Sequence, residues 1–275
     1  MITSLLLSLR EGLEAALIIG IVLGALHKTG RFDLSRFLWA GVLSAVIISL
    51  LSALLLHAVN QELEGLAEQI FEGITLLLAA GVLTWMIFWM RRQSGGMKSQ
   101  LESEVNRAVN LGGRGAIFFL AFIAVLREGI ELALYLTASS LTSSGLQTLL
   151  GTSIGLFAAG LLGYLIFTTT LRLNLQTFFQ VTAAILILFA AGLIAHSIGE
   201  FNEAGIIPGI ISPIWNLNHI LNDRSIVGMI FSTLFGYQGS PSLTQAMGYS
   251  GYLLAILFVL IKQGIFKQNN SFLPR

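Results

Sequence analysis

The sequence predicts an all-α, polytopic membrane protein with seven transmembrane helices, arranged as three-plus-three inverted repeats and one further helix. Three observations predict it. The first is composition: hydrophobic types make up 55% of the 275 residues and charged types 11%, against about 25% charged in soluble domains. Mean hydropathy is +0.82. The second is that the apolar residues fall in long, continuous runs, each near the roughly 20 residues a helix needs to cross a bilayer. Continuous runs exclude the alternating strands of a membrane barrel. The third is a charged motif that occurs twice, each time in the middle of such a run. The same composition excludes a disordered chain and a nucleic-acid binder, and a net charge of +1 offers no basic surface. There is no cysteine, which removes disulfides, iron–sulfur clusters and thiolate sites. Any metal here is held by Glu, Asp, His, Met, backbone or water.

The expected spans are 2–26, 37–59, 70–90, 116–138, 148–171, 178–198 and 244–262. The first is interrupted by Arg10, Glu11 and Glu14 and has no basic residue before its apolar run, so it reads as a retained span rather than a cleaved signal. The third carries Trp85 and Trp89, which mark an inner interface, and Met86 and Met90, which read as packing residues with no ligand role. The fourth carries Arg127, Glu128 and Glu131. Gly20 and Gly24, and Gly151 and Gly155, have the small-xxx-small spacing that lets helices approach, or copies of the chain meet in a homo-oligomer. The loop 199–243 is long and holds three of the four prolines. Within it, 225–236 is apolar but too short to span, and reads as an interfacial or re-entrant helix.

Basic residues sort between alternate loops. Lys28, Arg31 and Arg36, then Arg91, Arg92, Lys98, Arg107 and Arg114, then Arg172, then Lys262, Lys267 and Arg275 fall on one side, against Arg224 alone on the other. The positive-inside rule puts the N-terminus outside and the C-terminus in the cytoplasm. The outer loops are acidic, with Glu62, Glu64 and Glu68, then Glu200, Glu203 and Asp223.

Arg10-Glu11-Gly12-Leu13-Glu14 recurs as Arg127-Glu128-Gly129-Ile130-Glu131. Gln69 precedes Ala79-Ala80-Gly81 by the spacing at which Gln180 precedes Ala190-Ala191-Gly192. These echoes divide the chain into repeat A (2–90), repeat B (116–198), the outer loop and the seventh helix. Each repeat has an odd number of spans, so the halves are inverted, a layout that places a transporter's site at the midplane between them.

Each motif puts three ionisable groups at membrane depth, where each costs roughly 2.5–3.5 kcal/mol. A structural role accounts for part of this: Arg10 with Glu14 and Arg127 with Glu131 stand at i,i+4, the spacing for ion pairs. It leaves Glu11 and Glu128 without a cation. Two Arg against four Glu leave a net negative cluster, which needs protons or a bound cation. Glu11 and Glu14 lie about 4.5 Å apart along one helix face. With the two spans antiparallel, Glu11 is expected level with Glu131 and Glu14 with Glu128, in two carboxylate tiers. Gly12 and Gly129 are expected to let spans one and four cross closely. Carboxylate oxygens suit hard cations such as iron, manganese, magnesium or calcium rather than cuprous copper. Glu72, at the start of the third span, is expected at the outer mouth. His196, one turn before Glu200, is expected with Glu200 and Glu203 in an outer metal-acquisition patch. No ATP-binding motif is present.

Two R-E-G-[LI]-E motifs in spans one and four of a seven-span chain resemble the oxidase-dependent iron transporters, the EfeU-type bacterial permeases and the fungal high-affinity iron permeases. Glu200-Phe201-Asn202-Glu203-Ala204-Gly205 after span six is similar to the EfeU type, so the resemblance covers essentially the whole chain. It implies an importer of ferric or ferrous iron in the cytoplasmic membrane, not an enzyme, with no permanently bound cofactor. Glu11, Glu14, Glu128 and Glu131 are then iron ligands along the path, and Arg10 and Arg127 hold them in place. It also implies a separate oxidase or iron-delivery protein at the outer face. A related branch resembling lead-uptake proteins shares the motifs, so another divalent cation is the alternative cargo. A membrane-embedded carboxylate-metal enzyme is a further alternative, weakened because no His follows a motif Glu by three or four residues, as in helical di-iron sites.

Overall fold

Long apolar runs become long helices, because a chain in lipid has to satisfy its backbone hydrogen bonds internally. The computed structural model describes residues 1–93, 103–105, 107–108, 113–142, 144–168, 175–222 and 225–269. Among them are eight α-helices: α1 (Ile2–Lys28), α2 (Ser35–Glu62), α3 (Leu66–Gln93), α4 (Gly113–Thr142), α5 (Gly145–Thr168), α6 (Leu175–Glu203), α7 (Ile226–Phe235) and α8 (Leu243–Asn269). Each expected span lies within one helix, except that 169–171 lie outside the described residues. So do Lys98, Arg172, Asp223, Arg224 and Arg275, which entered the charge reading of the loops.

Among the described residues, five helical stretches are long and apolar enough to cross a membrane: Phe32–Asn60, Leu66–Trp89, Gly145–Ile166, Thr182–Glu203 and Leu243–Lys262. The other two long helices, α1 and α4, differ in carrying the motif charges. Leu43, Ile47, Leu50, Leu51 and Leu54 of α2 and Leu254, Leu257 and Phe258 of α8 are exposed. In water such faces mark interaction or aggregation sites; on an integral, multi-pass membrane protein they face acyl chains.

Three helix pairs make the frame: α1 with α5, α2 with α4, and α3 with α6. The helices α1 and α4 also meet each other. Two buried apolar clusters flank that crossing. One joins Leu7 of α1 to Tyr135 and Ala138 of α4, with Leu76, Leu83 and Met86 of α3 and Leu186 and Leu193 of α6. The other joins Val22 and Leu26 of α1 to Ile117, Ala121 and Val125 of α4, with Leu38 and Val42 of α2. The start of α1 therefore lies beside the end of α4, so the two run antiparallel. The charged motifs fall between the two apolar layers.

The motif glycines serve different neighbours from those expected. A Cβ on Gly12 would meet Ala159 Cβ of α5 at 2.7 Å, and one on Gly129 would meet Ser49 of α2. The reason is angular: successive helix residues are about 100° apart, so when Glu11 faces α4, Gly12 faces away from it. Gly24 has no neighbouring atom within 4 Å of that position, so it makes no helix contact of this kind. The apolar stretch in the loop 199–243 is a helix, α7. Ser225 Oγ accepts from Gly228 N at its start (2.9 Å), and Gly236 (φ 65°) closes it in the left-handed conformation. Gly236 and Gly192 of α6 meet backbone to backbone, where neither has room for a side chain.

Gly155 is one of the close approaches of the α1–α5 pair. A Cβ there would lie 2.5 Å from Leu5 O and 2.9 Å from Ser8 Cβ, whereas Gly160 of the same helix has nothing within 4 Å. Gly155→Leu is expected to destabilise the detergent-solubilised protein by about 1–3 kcal/mol. Gly160→Leu should stay within about 0.5 kcal/mol of the parent. Equal thermal unfolding curves for the two variants would contradict this packing.

Candidate metal-binding site

On α1, Leu7, Glu11 and Glu14 stand at i, i+4 and i+7; on α4, Glu128, Glu131 and Tyr135 stand at i, i+3 and i+7. Each set is one helix face, and the α1–α4 crossing turns the two faces together. Arg10, Glu11, Glu14, Glu128 and Glu131 are all buried. Carboxylate oxygens of Glu11, Glu128 and Glu131 lie within 4.8 Å of one another. The two expected tiers are therefore merged: Glu128 meets Glu11 as well as Glu131 at one level.

The two arginines are placed differently. Arg10, 1% exposed, donates from Nη1 to Glu11 Oε1 (2.7 Å), and its Nη2 lies 3.0 Å from Glu14 Oε1. Glu11 thus has the cationic partner that the spacing argument denied it. Neighbours at i,i+1 do not usually face each other, but the long guanidinium arm folds back across its own helix. Arg10 Nη1 also donates to Met86 Sδ at 3.0 Å. Arg127 donates from Nε to Glu131 Oε1 at 3.0 Å, and its side chain is 32% exposed. Its guanidinium lies over Trp89, 4.4 Å from the ring centroid, and Trp85, at 5.4 Å. The tryptophans read as interface markers thus shield an arginine.

After these contacts, Oε2 of Glu11, Glu128 and Glu131 are buried with no hydrogen-bond partner. A buried carboxylate oxygen left unpaired costs more than an ordinary hydrogen bond gains. Glu11, Glu128 and Glu131, each with such an oxygen, also bring carboxylate oxygens within 4.8 Å of one another, a grouping that could hold a metal ion. Oxygen-only donors of this kind suit hard, oxygen-seeking metals.

The residues expected at the outer mouth are also brought together in part. Asn60 Nδ2 donates to Glu72 Oε1 at 3.3 Å. Glu72 and Glu200 lie within electrostatic range of each other and of Glu68 and Glu203. The α3–α6 pair achieves this, with Ser197 Oγ donating to Gly73 O at 2.7 Å. Because α6 continues to Glu203, His196, Glu200 and Glu203 share one helix face. His196 Nδ1 lies 2.6 Å from Gln238 Nε2 in the outer loop.

Sequence reasoning missed Tyr135 and Met86. Tyr135 is fully buried, with its hydroxyl 4.0 Å from Met86 Sδ. Its position one turn after Glu131 was the available signal. Nothing in the spacing of α3 pointed Met86 at Arg10.

A multi-pass bundle that buries converging carboxylates between apolar layers defines an integral membrane protein built to handle a cation. Comparison with known proteins narrows the class. Residues 1–270 match the iron permease FTR1 family, and the chain belongs to it. It is 35% identical to the ferrous iron permease EfeU of Escherichia coli O6:K15:H31 (strain 536 / UPEC), over 95% of each chain. It is also 35% identical to that of Shigella sonnei (strain Ss046), over 94% of each, and 33% identical to that of Yersinia pestis, over 94% of this chain and 93% of the relative. No solved structure matches it. The protein is a permease, not an enzyme, and iron is its substrate.

Removing one partner of a buried ion pair costs about 3–5 kcal/mol, while an exposed pair is worth about 0–1 kcal/mol. Arg10→Gln is therefore expected to destabilise the protein by several kcal/mol, and Arg127→Gln by clearly less. Thermal unfolding of both variants in detergent checks the order; a reversed order would mean Arg10 is not the main counter-charge.

Proposed function

We propose that iron crosses the cytoplasmic membrane inward past Glu11, Glu14, Glu128 and Glu131, with Arg10 and Arg127 holding these carboxylates. The observation that carries this reading is the convergence of Glu11, Glu128 and Glu131, each with a buried, unpartnered oxygen. In this reading the chain has seven spans with the N-terminus outside, which the long apolar helices and the basic residues in alternate loops support. The inverted-repeat reading is supported by the helix pairing. Exchanging α1, α2 and α3 for α4, α5 and α6 turns the α1–α5 pair into α4–α2 and leaves α3–α6 as itself.

In this orientation Glu68, Glu72, Glu200 and Glu203 form an acidic outer mouth that raises the local cation concentration. His196, tied to Gln238, borders it. Iron reaches that mouth as ferric or ferrous ion from a separate oxidase or delivery protein outside. The chain carries no ATP-binding motif, so this reading leaves the membrane potential, an ion gradient or uncoupled permeation to carry the ion.

Radiolabelled iron uptake, in cells lacking their own high-affinity importers, tests the path. Glu11→Gln and Glu128→Gln keep the size of the side chain and remove its charge. Each is expected to cut uptake about tenfold or more at equal membrane levels, in line with the loss when a metal site is perturbed. Normal uptake by both variants would reduce the motifs to structural ion pairs.

A further inference from the structure

The carboxylate cluster has a sulfur at its edge. Met86 of α3 is wholly buried, and its Sδ accepts from Arg10 Nη1 at 3.0 Å. The same Nη1 donates to Glu11 Oε1 at 2.7 Å. One cationic nitrogen therefore sits between a thioether and a carboxylate oxygen. Tyr135 approaches the sulfur from α4. Packing alone does not require sulfur at this place: counted from Ala79-Ala80-Gly81 and Ala190-Ala191-Gly192, the matching position in α6 is Ser197, whose hydroxyl is taken by Gly73 O.

We propose that Met86 Sδ is a specificity-determining ligand of the transported ion. When an ion enters the Glu11–Glu128–Glu131 cluster, Arg10 Nη1 withdraws and the ion takes its place between Glu11 and Met86. This rests on the reading of that cluster as the ion path. A thioether is a soft ligand that gives little to magnesium, calcium or manganese, which prefer oxygen, and more to a softer transition ion. Ferrous iron, softer than ferric, gains more from it. Charge points the same way: with every group ionised, two Arg against four Glu leave two negative charges, which a divalent ion neutralises.

The test uses the purified full chain loaded with ferrous iron, read by X-ray absorption at the iron edge. The chain has no cysteine and six methionines, so any sulfur bonded to the iron comes from a methionine. The wild type is expected to show a sulfur neighbour and Met86→Leu to lose it; this swap is among the best tolerated in cores. In uptake, Met86→Leu should reach the membrane normally, while manganese and calcium compete with ferrous iron roughly tenfold better, the scale of one removed discriminating contact. Oxygen and nitrogen neighbours alone in the wild type, or sulfur persisting in Met86→Leu, would overturn the assignment. Glu11→Gln, run in the same two assays, separates the layers. If it binds and carries iron like the wild type, the carboxylate path itself falls. If it loses both while Met86→Leu changes neither, only the assignment of Met86 falls.

Discussion

A guanidinium buried between two carboxylates is the interaction on which the rest of this molecule depends. Arg10 is among the largest fully buried side chains of the protein. Its charge is removed from water at a cost of several kcal/mol even after relaxation. It is tolerable only because Glu11 and Glu14 sit against it, and they are tolerable only because Arg10 does. The packing around this group keeps lipid and water away from it. Leu7, Leu83 and Met86 belong to the buried apolar cluster on one side of the charged motifs, and Val22, Leu26 and Val125 to the cluster on the other. Without those layers the charges would be hydrated and weakly coupled. With them, each unpaired carboxylate oxygen is a strong demand for positive charge.

The helix pairs meet that demand by geometry. The pairs α1–α5 and α2–α4 use small residues at close approach, Gly155 and Gly12 on one side and Gly129 on the other, and this fixes how α1 and α4 are rotated. Rotation by one residue would swing Glu11 about 100° away from α4 and replace the carboxylate cluster with a glycine face. The glycines next to the glutamates thus set where the glutamates point, although they do not line the α1–α4 contact. The two motifs, nearly identical in sequence, end in different surroundings. Arg10 is sealed by α3, while Arg127 is a third exposed and lies on Trp89 and Trp85. Local sequence is the same and tertiary packing breaks the equivalence.

That difference explains what was readable in advance. The helices were legible because apolar length is a one-dimensional property, and among the described residues each expected span falls within one helix. The short helix α7 was legible from its apolar stretch between Ser225 and Gly236. The i,i+4 pairs of Arg10 with Glu14 and Arg127 with Glu131 were legible because helical spacing dictates them. What spacing does not contain is the depth and twist at which two helices cross. Two separate tiers were expected where Glu128 in fact meets both Glu11 and Glu131. Glu11 was expected to lack a cation because the i,i+1 rule ignores the reach of an arginine. Met86 carried a packing signal only, since its meeting with Arg10 joins residues 76 positions apart.

On the proposed path the site has to bind weakly enough to release, and there the arginines would supply that weakness. Four glutamates alone would hold a multivalent cation in a deep well. Arg10 and Arg127 are cations paired with different carboxylates of one cluster, Glu11 and Glu14 for the first and Glu131 for the second, so on the proposed path an arriving ion would compete with them rather than fill an empty charge. Its binding is offset by the contacts they give up, and its departure is assisted when they return. The competition would be local for Arg10, which touches Glu11, Glu14 and Met86 at once, and looser for Arg127, whose guanidinium rests on two indole rings as well as on Glu131. Two counter-ions of unequal freedom on one cluster give the ion a harder and an easier side from which to leave. The shielded arginine sets the first and the exposed one the second.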